Sequence, residues 1–261
     1  MWTAGVWAAL VLSGGIGVTL GLVGGGGSII TVPVLVYVAG LPVREAVALS
    51  LAVVGATAAV GAVVQARQGN VHPKAALLYG GAGVVGAALG ARLTPLVPLP
   101  VLMTVFAALM IWVGLRMARG GPEGEVSRKA ECVAWKCLLA GFGVGVVTGF
   151  LGVGGGFLIV PALLRFAKMP MAPAVGTSLA VIAANSLSGF AAHAGELSAG
   201  AGALAAALTA ASVAGIFVGM ALGKRMKPGG LKKAFGGLSL AVAGYLIVMN
   251  VRPLLALITG G

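Results

Sequence analysis

The 261-residue chain is 59% hydrophobic and only 8% charged, and its mean hydropathy is +1.10. A water-soluble domain carries roughly 25% charged residues, so this composition excludes a soluble globular protein and indicates an integral membrane protein. The net charge of +12 comes from 17 Lys and Arg residues against 5 Asp and Glu residues.

Apolar segments divide the chain into two halves of five elements each. In the first half we predict elements at 5–22, 28–40, 46–66, 74–91 and 99–118. In the second half they fall at 133–151, 156–167, 172–193, 199–223 and 231–250. Most reach the roughly 20 residues that cross a bilayer, but the second element of each half is only about 12 long, which is typical of a re-entrant or broken helix.

From Gly24 to Gly61 the first half returns in the second half at a constant offset of 128 residues. The segment from Gly24 to Pro33 returns as Gly152 to Pro161, and Ser50 returns as Ser178. A duplicated, glycine-broken apolar segment is typical of a transporter built from two repeats, with its site where the repeats meet. We therefore predict an all-α integral membrane protein, with repeats at 1–119 and 132–261 and a polar linker at 120–131.

The positions of Lys and Arg discriminate between two topologies. If each glycine run merely kinks a longer crossing, the repeats are parallel and the basic residues split nine against eight. If each run turns the chain back, the second repeat is inverted and fourteen basic residues share one side, leaving Arg44, Arg92 and Arg252 on the other. The positive-inside rule favours the inverted arrangement. It predicts a cytoplasmic linker, with both termini outside.

Each glycine run precedes the short second element of its half. A helix that begins directly after glycines presents free backbone N–H groups and the positive end of its dipole, which together can bind an anion. The predicted substrate-binding positions are Gly24, Gly25, Gly26, Gly27, Ser28 and Thr31 in the first half, and Gly152, Gly154, Gly155 and Gly156 in the second. A tight membrane turn that needs glycine only for its shape is equally compatible with these residues.

A polar helix face is also duplicated. Ser50 and Thr57 lie seven residues apart and so share one face of a helix, and Ser178 and Asn185 occupy the matching positions of the second half. With Thr177, these side chains could bind an anion without burying a charge. The alternative is hydrogen bonding between helices, or from a hydroxyl back to its own helix.

Other small residues and ionisable groups have simpler interpretations. Four pairs of glycines are spaced four residues apart in apolar helices, which predicts close helix packing: Gly17 and Gly21, Gly86 and Gly90, Gly145 and Gly149, and Gly215 and Gly219. His193 and Glu196 form a candidate proton-coupling pair near a helix end. The alternative is that they are simply a solvated helix end. No catalytic cluster, metal spacing or nucleic-acid surface is recognisable, so we expect no enzyme, cofactor or metal site.

At these motifs the chain resembles the sulfite exporter TauE/SafE family, also known as toluenesulfonate uptake permeases. The resemblance rests on the doubled glycine run with its following proline, and on Ala-Val-Gly-Thr-Ser-Leu-Ala at 174–180. The first half departs from this pattern, with Ala-Leu-Ser-Leu at 48–51. The resemblance implies transport of sulfur oxyanions or organosulfonates across the bacterial inner membrane.

We therefore expect an inner-membrane transporter of sulfite, thiosulfate or short organosulfonates, working by export or facilitated transport. The alternative is a non-transporting membrane subunit that delivers substrate to an enzyme. The expected partners are the small anion and the lipid bilayer, with no nucleic acid and with a homodimer left open.

Overall fold

A computed structural model describes residues 4–25, 27–93, 99–119, 134–151, 156–193, 195, 197–198, 201–226 and 228–258. The first half forms α1 (Ala4–Val23), α2 (Gly27–Pro33), α3 (Val43–Arg67), α4 (Pro73–Leu93) and α5 (Leu99–Ala118). The second half forms α6 (Ala134–Leu151), α7 (Gly156–Phe166), α8 (Met171–His193), α9 (Ala201–Arg225) and α10 (Pro228–Ile258). These ranges contain no β-strand, which confirms the all-α class.

Five of the described helices are long and apolar enough to cross a membrane: α1, α3, α8, α9 and α10. The helix bounds follow the predicted elements to within a few residues, except that α10 continues to Ile258 instead of ending at 250. The predicted linker, 120–131, lies outside the described residues. At position 250, where the predicted element ended, α10 is still attached to α5, because the Asn250 amide donates to Thr104 Oγ1 at 2.9 Å.

The short second elements end in the same way in both halves. Gly40 has φ 72° and Lys168 has φ 48°, so each occupies the left-handed region at an equivalent position. The next residue then donates its N–H back to a carbonyl six residues earlier, Leu41 to Leu35 at 3.0 Å and Met169 to Leu163 at 3.4 Å. The ending resembles a Schellman motif in its left-handed residue, but the backward bond is one residue longer than the five-residue span of that motif. The sequence duplication is therefore also a duplication of local structure.

Proline shapes the short elements from within. Pro33 ends α2, and a π-helical turn, Val34–Val38, carries the chain onward. Proline lacks an N–H and crowds the preceding turn, so a locally widened helix is a common way to continue past it. Its counterpart Pro161 lies inside α7. At 11 residues α7 is about 16 Å long, which is much less than the roughly 30 Å hydrocarbon core of a bilayer.

The two halves are interlaced instead of lying side by side. The most extensive contacts join α1 to α9 and α6 to α4, so the first element of each half packs on the fourth element of the other. The third elements, α3 and α8, pack on each other, as do the fifth elements, α5 and α10.

Helix directions follow from the residues in contact. Gly17 faces Ser212 and Gly21 faces Ile216, so α1 and α9 run parallel. Along α3, Gly55 faces Ser186 whereas Gly61 faces Leu179, so α3 and α8 run antiparallel. The fifth elements are antiparallel too, because Gly114 lies against Leu240 while Thr104 bonds to Asn250.

Glycine makes the interlaced contacts possible. A Cβ on Gly17 would overlap the Ser212 carbonyl oxygen, and one on Gly215 would overlap that of Gly14. At the α4–α6 contact, a Cβ on Gly86 or Gly145 would likewise overlap the opposing backbone. The predicted packing role of these glycines is confirmed.

The core lies around α3, α7 and α8, and its largest fully buried side chains include Tyr79, Leu163, Leu179 and Ile182. Large apolar side chains cover the outside, among them Val11 at 78% exposed and Leu77 at 77% exposed. A surface of this kind fits lipid and not water.

Candidate functional site

The first glycine run forms a tight turn between α1 and α2. Gly24 has φ 73°, and its N–H bonds to the Leu20 carbonyl at 2.8 Å, so that N–H already caps α1. Gly25 is buried, and Gly27 begins α2. A Cβ on Gly27 would lie 2.9 Å from the Ile16 carbonyl oxygen, so the start of α2 is pressed closely against α1.

This turn touches the polar helix of the other half. The Ser178 hydroxyl lies 2.7 Å from the Gly24 carbonyl oxygen and 2.7 Å from that of Val175 in its own helix, and its single proton can serve one of them at a time. A Cβ on Gly24 would lie 2.6 Å from Ser178 Oγ and 2.9 Å from Val175 Cα. The fold thus brings together two motifs that are 154 residues apart in sequence.

Three other predicted hydroxyls already have protein partners. Thr31 Oγ1 donates to the Gly27 carbonyl at 2.8 Å, and Ser50 Oγ donates to the Val47 carbonyl at 2.9 Å, both within their own elements. Thr177 Oγ1 accepts the His72 backbone N–H at 3.0 Å, which ties α8 to the start of α4. These three hydroxyls therefore have the helix-packing and back-bonding roles of the alternative interpretation.

Thr57 and Asn185 differ from these residues. The hydroxyl of Thr57 and the amide oxygen of Asn185 are buried, and neither has a hydrogen-bond partner within the described part of the chain. Asn185 lines a cavity of about 10 Å³ together with Tyr79, Gly83, Gly145 and others from α4, α6, α7 and α8. That volume is close to the smallest space that holds one water molecule.

The predicted site residues therefore lie at two levels. Ser178 and the Gly24 turn form one level, and Thr57 and Asn185 form another. Asn185 is seven residues along α8 from Ser178, or about 10 Å at 1.5 Å per residue. Several predicted positions fall outside the described residues, namely Gly26, Gly152, Gly154, Gly155 and Glu196, as do the side chains of Ser28 and His193. Gly156 is described as the first residue of α7.

The structure adds site residues that the sequence interpretation did not include. The Tyr79 hydroxyl donates to the Ala162 carbonyl at 3.3 Å, which joins α4 to α7 at the cavity. Ser212 in α9 is 1% exposed, and its hydroxyl is without a hydrogen-bond partner among the described residues. The only sequence signal for Ser212 was that it is one of two hydroxyl residues, with Thr209, in an alanine-rich helix.

Comparison with known proteins identifies relatives over most of the chain. The family model described as "Sulfite exporter TauE/SafE" matches residues 9–246. A "Probable membrane transporter protein" of Xylella fastidiosa strain 9a5c is 38% identical over 175 residues, which cover 65% of this chain and 67% of the relative. The "Probable membrane transporter protein YdhB" of Bacillus subtilis is 28% identical over 173 residues, which cover 64% and 70%. No solved structure matches the chain.

Proposed function

We propose that this chain, which belongs to the sulfite exporter TauE/SafE family of membrane transporters, carries sulfite, thiosulfate or short organosulfonates across the bacterial inner membrane. The observation that carries the proposal is the contact between Ser178 and the Gly24 turn. It joins the most distinctive motifs of the two halves, and transporters built from two repeats bind their substrates where the repeats meet.

In this proposal the anion is bound by neutral groups. Desolvated charges are costly within a membrane, so a site made of hydroxyl, amide and backbone N–H donors can hold an anion and still release it. Ser178 and Asn185 supply such groups on α8, and Thr57 supplies one on α3. Glycine has no side chain to keep an anion away from the backbone, so backbone N–H groups of the two glycine runs are the proposed additional donors.

The proposed topology is inverted, with a cytoplasmic linker and both termini outside. The antiparallel packing of α3 on α8 and of α5 on α10 supports it, because corresponding elements of inverted repeats run in opposite directions. The cation–π contacts of Arg116 with Trp112 (5.1 Å) and of Lys136 with Trp135 (5.6 Å) also support it. Paired Trp and basic residues are typical of a membrane interface, and both pairs fall on the proposed cytoplasmic side.

The proposed direction is export or facilitated transport. An interior-negative potential expels each negative charge with about 2.3 kcal/mol per 100 mV, so efflux of an anion needs no coupling ion. Uptake of an anion would require a coupling ion. His193 and Glu196 are the proposed proton-coupling pair for that case.

Flux into liposomes that contain only the purified chain tests the proposal. We expect radiolabelled sulfite or thiosulfate to enter the liposomes faster when they are preloaded with the same unlabelled anion. Liposomes preloaded with phosphate are the control. Ser178→Ala should slow this entry. Binding of sulfite without any flux would favour the substrate-delivering subunit instead, and neither binding nor flux of any sulfur anion would refute the proposed substrate class.

A further inference from the structure

Three buried polar atoms lack hydrogen-bond partners within the described ranges: Thr57 Oγ1, Asn185 Oδ1 and Ser212 Oγ. Thr57 is 0% exposed and Ser212 is 1% exposed. Helix hydroxyls usually bond back to a carbonyl of the preceding turn, as Thr19 does to Ile16 at 2.8 Å. A buried polar group without a partner is costly, so unsatisfied groups of this kind indicate a ligand or a water.

Thr57 and Asn185 occupy equivalent places in the two halves, and Ser212 occupies the place that Gly83 has in the first half. In α4 and α8, Gly80 faces Val181, and one turn later Gly83 lies beside the Asn185 amide. These two helices therefore run parallel and place Gly83 and Asn185 at one level.

The register of α9 on α3 implies the same arrangement in the other half. Gly61 faces Ile216, and one turn earlier on each helix lie Thr57 and Ser212. Thr57 is the counterpart of Asn185 at the 128-residue offset. Ser212 is the structural counterpart of Gly83, at an offset of 129 residues, because Ser212 packs on Gly17 just as Gly83 packs on Gly145.

Both places lie near the middle of the helices. The antiparallel helices α3 and α8 meet where Gly55 contacts Ser186, within two residues of Thr57 and one residue of Asn185. Thr57 and Asn185 thus lie about 12 Å or more from the ends of α3 and α8, at the depth where a bilayer is least polar.

We propose that Ser212 and Thr57 form a second binding subsite for the transported sulfur anion, equivalent to the niche at Asn185 and Gly83. The two niches are not chemically equal. The Ser212–Thr57 subsite supplies two hydroxyls. The other niche supplies the Asn185 amide, whose donor Nδ2 lies beside Gly83, whereas its unpartnered Oδ1 can only accept a hydrogen bond. Since hydroxyls can turn their protons toward an oxyanion, Ser212 is a substrate-contacting residue in this assignment. The inference rests on the proposed function and adds a residue to its site.

The test measures anion binding and apo stability on the same variants. Ser212→Ala and Thr57→Val each remove one hydroxyl, and Ser212→Gly copies the residue that occupies the equivalent place in α4. Thr19→Val is the control, since its hydroxyl is already bonded within α1. The full chain is placed in lipid nanodiscs and titrated with sodium sulfite at fixed salt, and its melting midpoint is recorded without sulfite.

We expect Ser212→Ala and Thr57→Val to weaken sulfite binding ten- to a hundredfold, the usual cost of one lost hydrogen bond to a charged group. Their apo melting midpoints should stay equal or rise, because each removes an unsatisfied polar group. Thr19→Val should bind sulfite as the wild type does and melt lower.

Other outcomes overturn the inference. Wild-type affinity in Ser212→Ala and Ser212→Gly, whatever their melting midpoints, means that Ser212 does not touch the anion and that its niche holds water at most. If Ser178→Ala still weakens binding in that case, the proposed function survives and only the second subsite is wrong. If the wild-type chain binds neither sulfite nor thiosulfate, the proposed substrate class fails and the subsite fails with it.

Discussion

Replacing Gly24 by Ala should destabilise the protein far more than the same change at Gly40. Both glycines have nearly the same backbone, with φ 73° and φ 72°. Alanine in the left-handed region costs about 1–2 kcal/mol at either position. A Cβ on Gly40 meets nothing within 4 Å, whereas one on Gly24 would lie 2.6 Å from Ser178 Oγ and 2.9 Å from Val175 Cα.

The contact with α8 sets the difference between the two variants. Overpacking of a tight site costs about 1–3 kcal/mol, so we expect about 2–5 kcal/mol for Gly24→Ala against about 1–2 kcal/mol for Gly40→Ala. Adding Ser178→Ala to Gly24→Ala should recover only part of the loss. It removes the hydroxyl, but the Val175 Cα belongs to the backbone and cannot move aside freely.

Unfolding by SDS in mixed micelles, followed by circular dichroism, would measure these free energies, and a double-mutant cycle would isolate the coupling of Gly24 to Ser178. Equal stability of Gly24→Ala and Gly40→Ala would show that α8 does not press on the turn. That result would contradict the contact of the Gly24 turn with Ser178 and Val175.

Four further predictions address other features. Ser178→Ala should unfold about 1 kcal/mol more easily and bind sulfite ten- to a hundredfold more weakly; an unchanged sulfite titration would remove it from the site. Lys168→Gly should raise the unfolding free energy by about 1 kcal/mol by relieving its positive φ, and a lower SDS midpoint would contradict this. Gly86→Ala should cost about 1–3 kcal/mol, unlike Gly81→Ala in the same helix, where a Cβ meets nothing within 4 Å; equal losses would rule out close α4–α6 packing. In intact cells that express a variant without Cys132 and Cys137, an impermeant thiol reagent should label Ser198→Cys but not Gln68→Cys. The reverse pattern would refute the proposed orientation.

The helices and their duplication could be predicted from the sequence because apolar length and glycine spacing report directly on the bilayer and on close packing. The 128-residue offset reappears in the positive φ of Gly40 and Lys168. The end of α10 was misjudged, because the predicted element ended at 250 whereas the helix continues to Ile258. The tertiary bond from Asn250 to Thr104 keeps this stretch attached to α5, and the helix continues beyond it.

The candidate site was harder to predict because a hydroxyl's role depends on its neighbours. Ser50 and Thr57 share a helix face, but Ser50 bonds to its own backbone whereas the described chain offers Thr57 no partner. Ser212 was missed because its importance comes from the register of α9 against α3. No local sequence pattern encodes that register.

The exchange of first elements between the halves has a consequence for biosynthesis. During synthesis α1 enters the membrane with its glycine face uncovered, and its partner α9 emerges almost 200 residues later. Throughout that interval the nascent chain depends on lipid, or on an insertion factor, to shield the helix. A single half made alone would leave both its first and its fourth element without their main partners. An ancestral half-length protein with this packing would therefore have had to assemble as a pair of chains before gene fusion joined them.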